Sequence, residues 1–255
     1  MPPTDSSLTR RSFLAALGST ALLARSAEAG ERVIAALIAQ TRNLPTVSER
    51  ITAISHALLG HAYQANTLIG GPRQVEVFVT RDDRFDCVTF CETVLAAAKA
   101  HDLPSFEAEL RVVRYRNGIV EWRERNHDFA AWCERNTANG LCRPIALGSP
   151  IELRKTITVP AALGLRSYTI AATTTASLFA QKDKLQNGDI IGFVSRRPVL
   201  DYFHTGFVMF SGDGKLLLRH ASESHGRVVD ERMTAFVGAN GVRYVTILRA
   251  RDTGI

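Results

Sequence analysis

The stretch "RFDCVTFCETVLAAA", residues 84–98, decides how the fold is read. It opens as an extended segment and becomes a run in which Val88, Cys91, Leu95 and Ala98 recur at helical spacing. The segment from Asp86 to Ala100 therefore reads as a helix, with Cys87 at its start. A thiol placed there has three roles open to it: a nucleophile aimed at a substrate, a metal ligand together with Cys91, or a small apolar residue in a core. If it sits in the first turn, the unpaired amides and the positive end of the helix dipole favour thiolate over thiol. The same amides can hold the oxyanion that forms when a thiolate attacks an amide carbonyl.

Working outward from this helix, "ERVIAALIAQTR" (31–42) and "PTVSERITAISHALLG" (45–60) read as two further helices. The second carries Thr46 three residues before Glu49, a capping-box signature. "VEVFV" (75–79) reads as a strand. "AELRVVRY" (108–115), "DIIGFV" (189–194), "HTGFVMF" (204–210), "KLLLRHAS" (215–222) and "RYVTILRA" (243–250) read as short β-rich runs. "SGDG" (211–214) is a hairpin turn that pairs 204–210 with 215–221. Helices first and an antiparallel meander later make the class α+β. The stretch 143–185 reads as a long excursion around the sheet.

The N-terminus speaks for export. Arg10 and Arg11 precede a modest apolar run to Leu23, and Ala27-Glu28-Ala29 offers a small-x-small cleavage site. That order describes a bacterial twin-arginine signal over residues 1–29, with a periplasmic or otherwise exported destination. Residues 30–255 then suffice for one domain with its own core. The apolar run is too short to span a bilayer, and no later segment is apolar enough. Net charge +6 and a pI near 9.4 suit an anionic surface such as cell wall. The arginines are scattered and no nucleic-acid motif is present. In an oxidising compartment Cys133 and Cys142, which bracket a turn-rich loop, are the candidate disulfide, while Cys87 stays a thiol.

His204 and His220 are the candidate partners of Cys87. With the turn centred near 212–213, the two fall opposite each other on one face of the hairpin. One imidazole can then take the thiol proton while the other fixes its tautomer. A structural reading of all three residues stays open, as does zinc held by Cys87, Cys91, His204 and His220, although C-x-x-x-C within a helix is not the usual zinc spacing.

"DCVTFCE" (86–92), "LQNGDIIGF" (185–193), "HTGFV" (204–208) and "LRHAS" (218–222) together resemble the NlpC/P60 papain-like cysteine peptidases. With "YQANTL" (63–68) and "RNHDFAAW" (125–132), the chain is similar to the DUF1460 amidase-like branch of that superfamily. The resemblance implies a papain-like fold with Cys87 as nucleophile, His204 as general base and His220 as the orienting third member. It implies that Tyr63, Asp86, Arg125 and His127 shape the substrate site, and that no metal or organic cofactor is needed. It further implies a peptidoglycan or muropeptide substrate, cut between N-acetylmuramic acid, often in its 1,6-anhydro form, and L-alanine. Asn66, Ile69 and Asp128 depart from the branch's pattern at substrate-shaping positions. A γ-D-glutamyl endopeptidase of the stem peptide and a non-catalytic wall-binding module are the alternatives.

Overall fold

The computed structural model describes residues 33–158 and 161–252, so the candidate signal segment lies outside the described residues. The chain runs through a helix over residues 33–41 (α1), then α2 (Val47–Ala57), β1 (Ala62–Tyr63), β2 (Ile69–Gly71), β3 (Gln74–Val77) and β4 (Arg84–Phe85). Two long helices follow, α3 (Cys87–Lys99) and α4 (Leu103–Arg114), and after two short 3-10 turns comes α5 (Phe129–Ala138). The rest is β5 (Cys142–Pro144), β6 (Ile151–Thr158), β7 (Leu165–Thr174), α6 (Thr175–Ala180), β8 (Ile190–Val194), β9 (Tyr202–Phe210), β10 (Leu216–Ser222), β11 (Arg227–Arg232), α7 (Met233–Ala239) and β12 (Tyr244–Ala250). The class is α+β, as the sequence leads one to expect.

The main sheet has the order β4-β1-β11-β10-β9-β8-β12-β7-β6, with β5 added on β12, while β2 and β3 form a separate hairpin. Its central strand, β9, is buried on both faces. Phe207 and Met209 enter one apolar cluster with Phe90, Val94 and Leu95 of α3, whereas Val208 enters another with Met233 and Phe236 of α7. Alternation along a strand puts these on opposite faces, so α3 covers one side of the sheet and α7 the other. Edge-to-face contacts of Phe90 with Phe85 and with Phe207, each at 5.6 Å between ring centres, fix α3 against the sheet.

Three segments differ from their sequence-based expectation. "AELRVVRY" belongs to a helix, α4. Asp102 caps it through Ser105, Pro104 sits in its first turn, and Phe106, Leu110 and Val113 recur at helical spacing as its buried face. The β-branched valines that suggested a strand are overruled by that stripe. Residues 143–185 are not an excursion around the sheet. They supply β5 and a long hairpin, β6–β7, which extends the sheet through eight paired positions. "VEVFV" contributes only to β3, outside the main sheet.

The candidate disulfide is likewise not formed, since all four cysteines are free thiols. Cys133 is buried on α5 and Cys142 is buried in β5 opposite Ala250, so each already has a place in the core.

The "LQNGD" motif has a structural use. Gly188 adopts φ +86 and donates its N–H to Val208 O at 2.9 Å, where any Cβ would sit 3.1 Å from Ser48 O. Asp189, fully buried, receives two bonds from Arg249, at 2.7 and 2.8 Å, and one from the Gln186 N–H. The motif thereby ties β8, β9 and β12 together at the end of the sheet away from His204.

Candidate functional site

Cys87 occupies the first position of α3, and Asp86 is the cap. The Asp86 carboxylate accepts from the Thr89 N–H at 2.8 Å, while Thr89 Oγ1 accepts from the Asp86 N–H at 3.0 Å. Asp86 therefore starts the helix, and its charge also acts on Cys87 and Tyr63. The helix start is what puts the sulfur beside the N–H groups of Cys87 and Val88, both of which favour its thiolate.

A third N–H facing the sulfur is that of Thr205 on β9. Its availability follows from the sheet register. β9 and β10 pair from Phe210↔Leu216 to Phe207↔Arg219. Beyond Phe207 the regular ladder ends although the strands stay close, Gly206 lying against Arg219 and His220, and the Thr205 N–H faces Cys87. The Thr205 side chain is fixed from behind, donating to Ile191 O at 2.9 Å with Cys91 Sγ 3.8 Å from its oxygen. Cys91 is thus buried behind Thr205 as a packing residue.

His204 and His220 meet, although not through the register expected. The observed pairing places His220 beside Gly206, two residues from His204 along β9. Because the shift is by two and not one, both imidazoles remain on one face. They are joined by a hydrogen bond of 2.6 Å between His204 Nε2 and His220 Nδ1, with the rings at 89°. That leaves Nδ1 of His204 free of the pair. Gly206 makes the approach feasible, since a Cβ there would lie 2.9 Å from His220 Cβ and 2.7 Å from Arg219 O.

An aromatic wall surrounds the pair. Phe236 of α7 lies 5.2 Å from the His204 ring and 5.4 Å from that of His220, and Phe193 stacks on His204 at 6.2 Å. Burial accordingly lowers both histidines, His204 to about 3 with help from His220, and His220 to about 4 with help from His225. Burial also pushes the Cys87 thiol up to about 12, aided by the Asp86 charge, against the three amides that act in the other direction. The thiolate expected at rest from the helix dipole gives way to desolvation, and the resting groups are a neutral thiol and two neutral imidazoles.

Tyr63, on β1, borders the same place. Burial raises its phenol, and the negative charges of Glu223, Cys87 and Asp86 add to the effect. Arg125 and His127 are committed elsewhere. Arg125 Nη1 lies 3.2 Å from Glu76 Oε1, and Glu76 in turn accepts from Tyr115 OH at 2.8 Å. His127 Nε2 donates to Trp122 O at 2.6 Å with its ring against the indole. Asp128, the departure from the expected aromatic, caps α5 through the Ala131 N–H. Among the described residues no group of three or more His, Cys, Asp or Glu side chains is gathered as a metal site requires. Nor is any described helix long and apolar enough to cross a membrane.

Sequence reasoning passed over Thr205, Phe236 and Glu231. Glu231 lies on β11 with Oε2 3.3 Å from His220 Nε2. The paired β-branched valines of "RVVDER" (227–232) were the available signal for a strand beside His220. Nothing in the sequence marked Phe236.

No curated protein matches the chain in sequence. Among solved structures, a DUF1460 protein from Legionella pneumophila superposes with a TM-score of 0.77 at 23% identity, covering 90% of this chain and 97% of its own. An N-acetylmuramoyl-L-alanine amidase from Bacteroides uniformis gives 0.72 at 24% identity, over 81% of this chain and 99% of its own. A putative xylanase from Bacteroides fragilis gives 0.63 at 24%, over 76% and 98%. At these identities the likeness is one of fold. The family model for AmiA-like, N-acetylmuramoyl-L-alanine amidase-like proteins matches residues 53–242, a span that takes in Cys87, His204 and His220. The chain belongs to the AmiA-like family.

Proposed function

We propose that this protein is a cell-wall amide hydrolase of the N-acetylmuramoyl-L-alanine amidase type, working through a Cys87–His204–His220 triad on a papain-like NlpC/P60 scaffold. The observation that carries the reading is a helix-start thiol with three amides facing its sulfur, one of them that of Thr205, which follows directly on a histidine hydrogen-bonded to a second histidine. A core cysteine needs no such surroundings. Family membership supports the reaction type.

In the mechanism, the muramic acid lactyl carbonyl enters beside Cys87. The thiol proton passes to Nδ1 of His204 as sulfur attacks the carbonyl carbon, since a thiol raised by burial is not ionised beforehand. The amides of Cys87, Val88 and Thr205 are the candidate donors to the oxyanion. The C–N bond then breaks, and the His204 proton goes to the departing amine of L-alanine. Water, activated by the same imidazole, hydrolyses the thioester. His220 holds His204 through the 2.6 Å bond and fixes which nitrogen faces sulfur. Tyr63 lines the approach. The basic pI near 9.4 suits an anionic wall fragment, and export through the segment 1–29 brings the enzyme to that substrate.

The test is mass spectrometry of muropeptides incubated with the mature protein, on anhydro-muramyl tripeptide and on intact sacculi. Free peptide with an L-alanine amino terminus supports the amidase. Products cut after D-glutamate instead make the protein a stem-peptide endopeptidase, and no product from either substrate leaves a wall-binding module.

A further inference from the structure

Beyond the triad, the histidine pair has an unassigned neighbour. His220 Nε2 points toward β11, where Glu231 Oε2 lies 3.3 Å away, within ion-pair range but not aligned as a hydrogen bond. This is the one carboxylate within 4 Å of either imidazole among the described residues. Its side chain retains 25% exposure, whereas that of His220 retains 2%. Of the other charged groups, Asp230 raises His220 and His225 lowers it, and both have partners of their own. Asp230 is held by two bonds from Arg219, at 2.7 and 2.6 Å, and His225 bonds Ser222 Oγ at 3.0 Å. On β9 the facing group is His204, and α7 presents Phe236.

We propose that Glu231 is a positioning residue that completes a relay Cys87–His204–His220–Glu231, acting on the reaction through His220. This rests on the amidase reading. At rest both rings are neutral, and a loosely placed carboxylate costs the buried pair nothing. When His204 takes the thiol proton, positive charge appears on a pair otherwise walled by Phe193 and Phe236. His220 Nε2–H then becomes a charge-assisted donor, and Glu231 its acceptor. The carboxylate thus strengthens its interaction when the imidazolium forms, which is when stabilisation raises turnover and not substrate affinity. The strand register makes this feasible, because His220 pairs with Val229 and Glu231 with Leu218, leaving His220 and Glu231 diagonal neighbours on one face.

The experiment compares the mature wild type with Glu231→Gln and Glu231→Asp by two readouts. The first is protonation of His204 and His220 followed by nitrogen NMR, which needs no substrate. The second is kcat and KM across pH on anhydro-muramyl tripeptide. The expected result for Glu231→Gln is a protonation midpoint of the pair lowered by half a unit or more. Its kcat should fall tenfold or more at unchanged KM, with part of the loss recovered in Glu231→Asp and the melting temperature preserved. A Gln variant with wild-type titration and wild-type kcat overturns the proposal, as does an Asp variant no better than Gln. If wild type itself hydrolyses no muropeptide, the amidase reading fails, and the NMR midpoint alone decides whether Glu231 is coupled to the pair.

Discussion

Gly206→Ala is the sharpest perturbation of the site that keeps every residue of the proposed triad. A methyl at this position meets Arg219 O at 2.7 Å, Leu218 Cδ1 at 2.8 Å and His220 Cβ at 2.9 Å. Ordinary contacts of this kind begin near 3.4 Å, so the two strands must separate by more than half an ångström. Two of the three obstacles are the backbone of β10 and the root of His220, which cannot swing away. Overpacking of this kind costs about 1–3 kcal/mol. At about 2 kcal/mol, a domain of this size should melt roughly 4–8 °C lower, and the variant should still fold. The same displacement acts directly on the 2.6 Å bond between His204 and His220. An opening of more than half an ångström takes it to the edge of hydrogen bonding, and His204 loses its fixed tautomer. The account therefore predicts kcat on anhydro-muramyl tripeptide reduced a hundredfold or more in a protein that circular dichroism shows to be folded at 25 °C. A Gly206→Ala enzyme with near wild-type kcat would refute the reasoning that the close β9–β10 approach holds the pair.

Other expectations follow from burial. His204 and His220 sit below their ordinary value of 6.5, at about 3 and about 4, so the unfolded chain binds their protons at a higher pH than the folded one does. Stability from the pair is intact above about pH 6.5 and drains as pH falls toward 4, by up to roughly 1.4 kcal/mol per unit for each histidine. Melting curves between pH 7 and 4 should steepen this loss in wild type relative to a His204→Gln, His220→Gln variant, and parallel curves would contradict the burial argument. Native protein purified under reducing conditions should react with a disulfide reagent at Cys87 alone, and slowly, because Cys91, Cys133 and Cys142 are buried and the Cys87 thiol is pushed up. Unfolding should then expose the other three. Rapid labelling of Cys133 or Cys142 in the native state would place the β5 region wrongly.

Much of this could be read from the chain. The helix at Cys87 and the hairpin at 211–214 announced themselves through local chemistry, an apolar stripe at period 3.6 and a Gly-Asp-Gly turn. The register of that hairpin did not. The turn residues permit pairings that differ by two, and the close passage over Gly206 chooses between them. α4 was misread because Val112 and Val113 speak for a strand locally, whereas Phe106, Leu110 and the Asp102 cap decide the matter only when taken together. The helix alone favours a thiolate at Cys87, but the burial that opposes it arises only from the packed fold. Glu231 is of the same kind, an ordinary charged residue on a strand until β11 brings it against His220.

The central claim is that Cys87 forms a covalent acyl intermediate with the lactyl carboxyl of muramic acid. Intact-mass spectrometry of enzyme quenched in acid within the first turnover on anhydro-muramyl tripeptide tests it directly. The account predicts an adduct of the mass of the anhydro-muramoyl group, located on Cys87 by fragmentation and absent from Cys87→Ala, which also releases no L-alanyl peptide. Peptide release undiminished in Cys87→Ala, or an adduct on another residue, would contradict it.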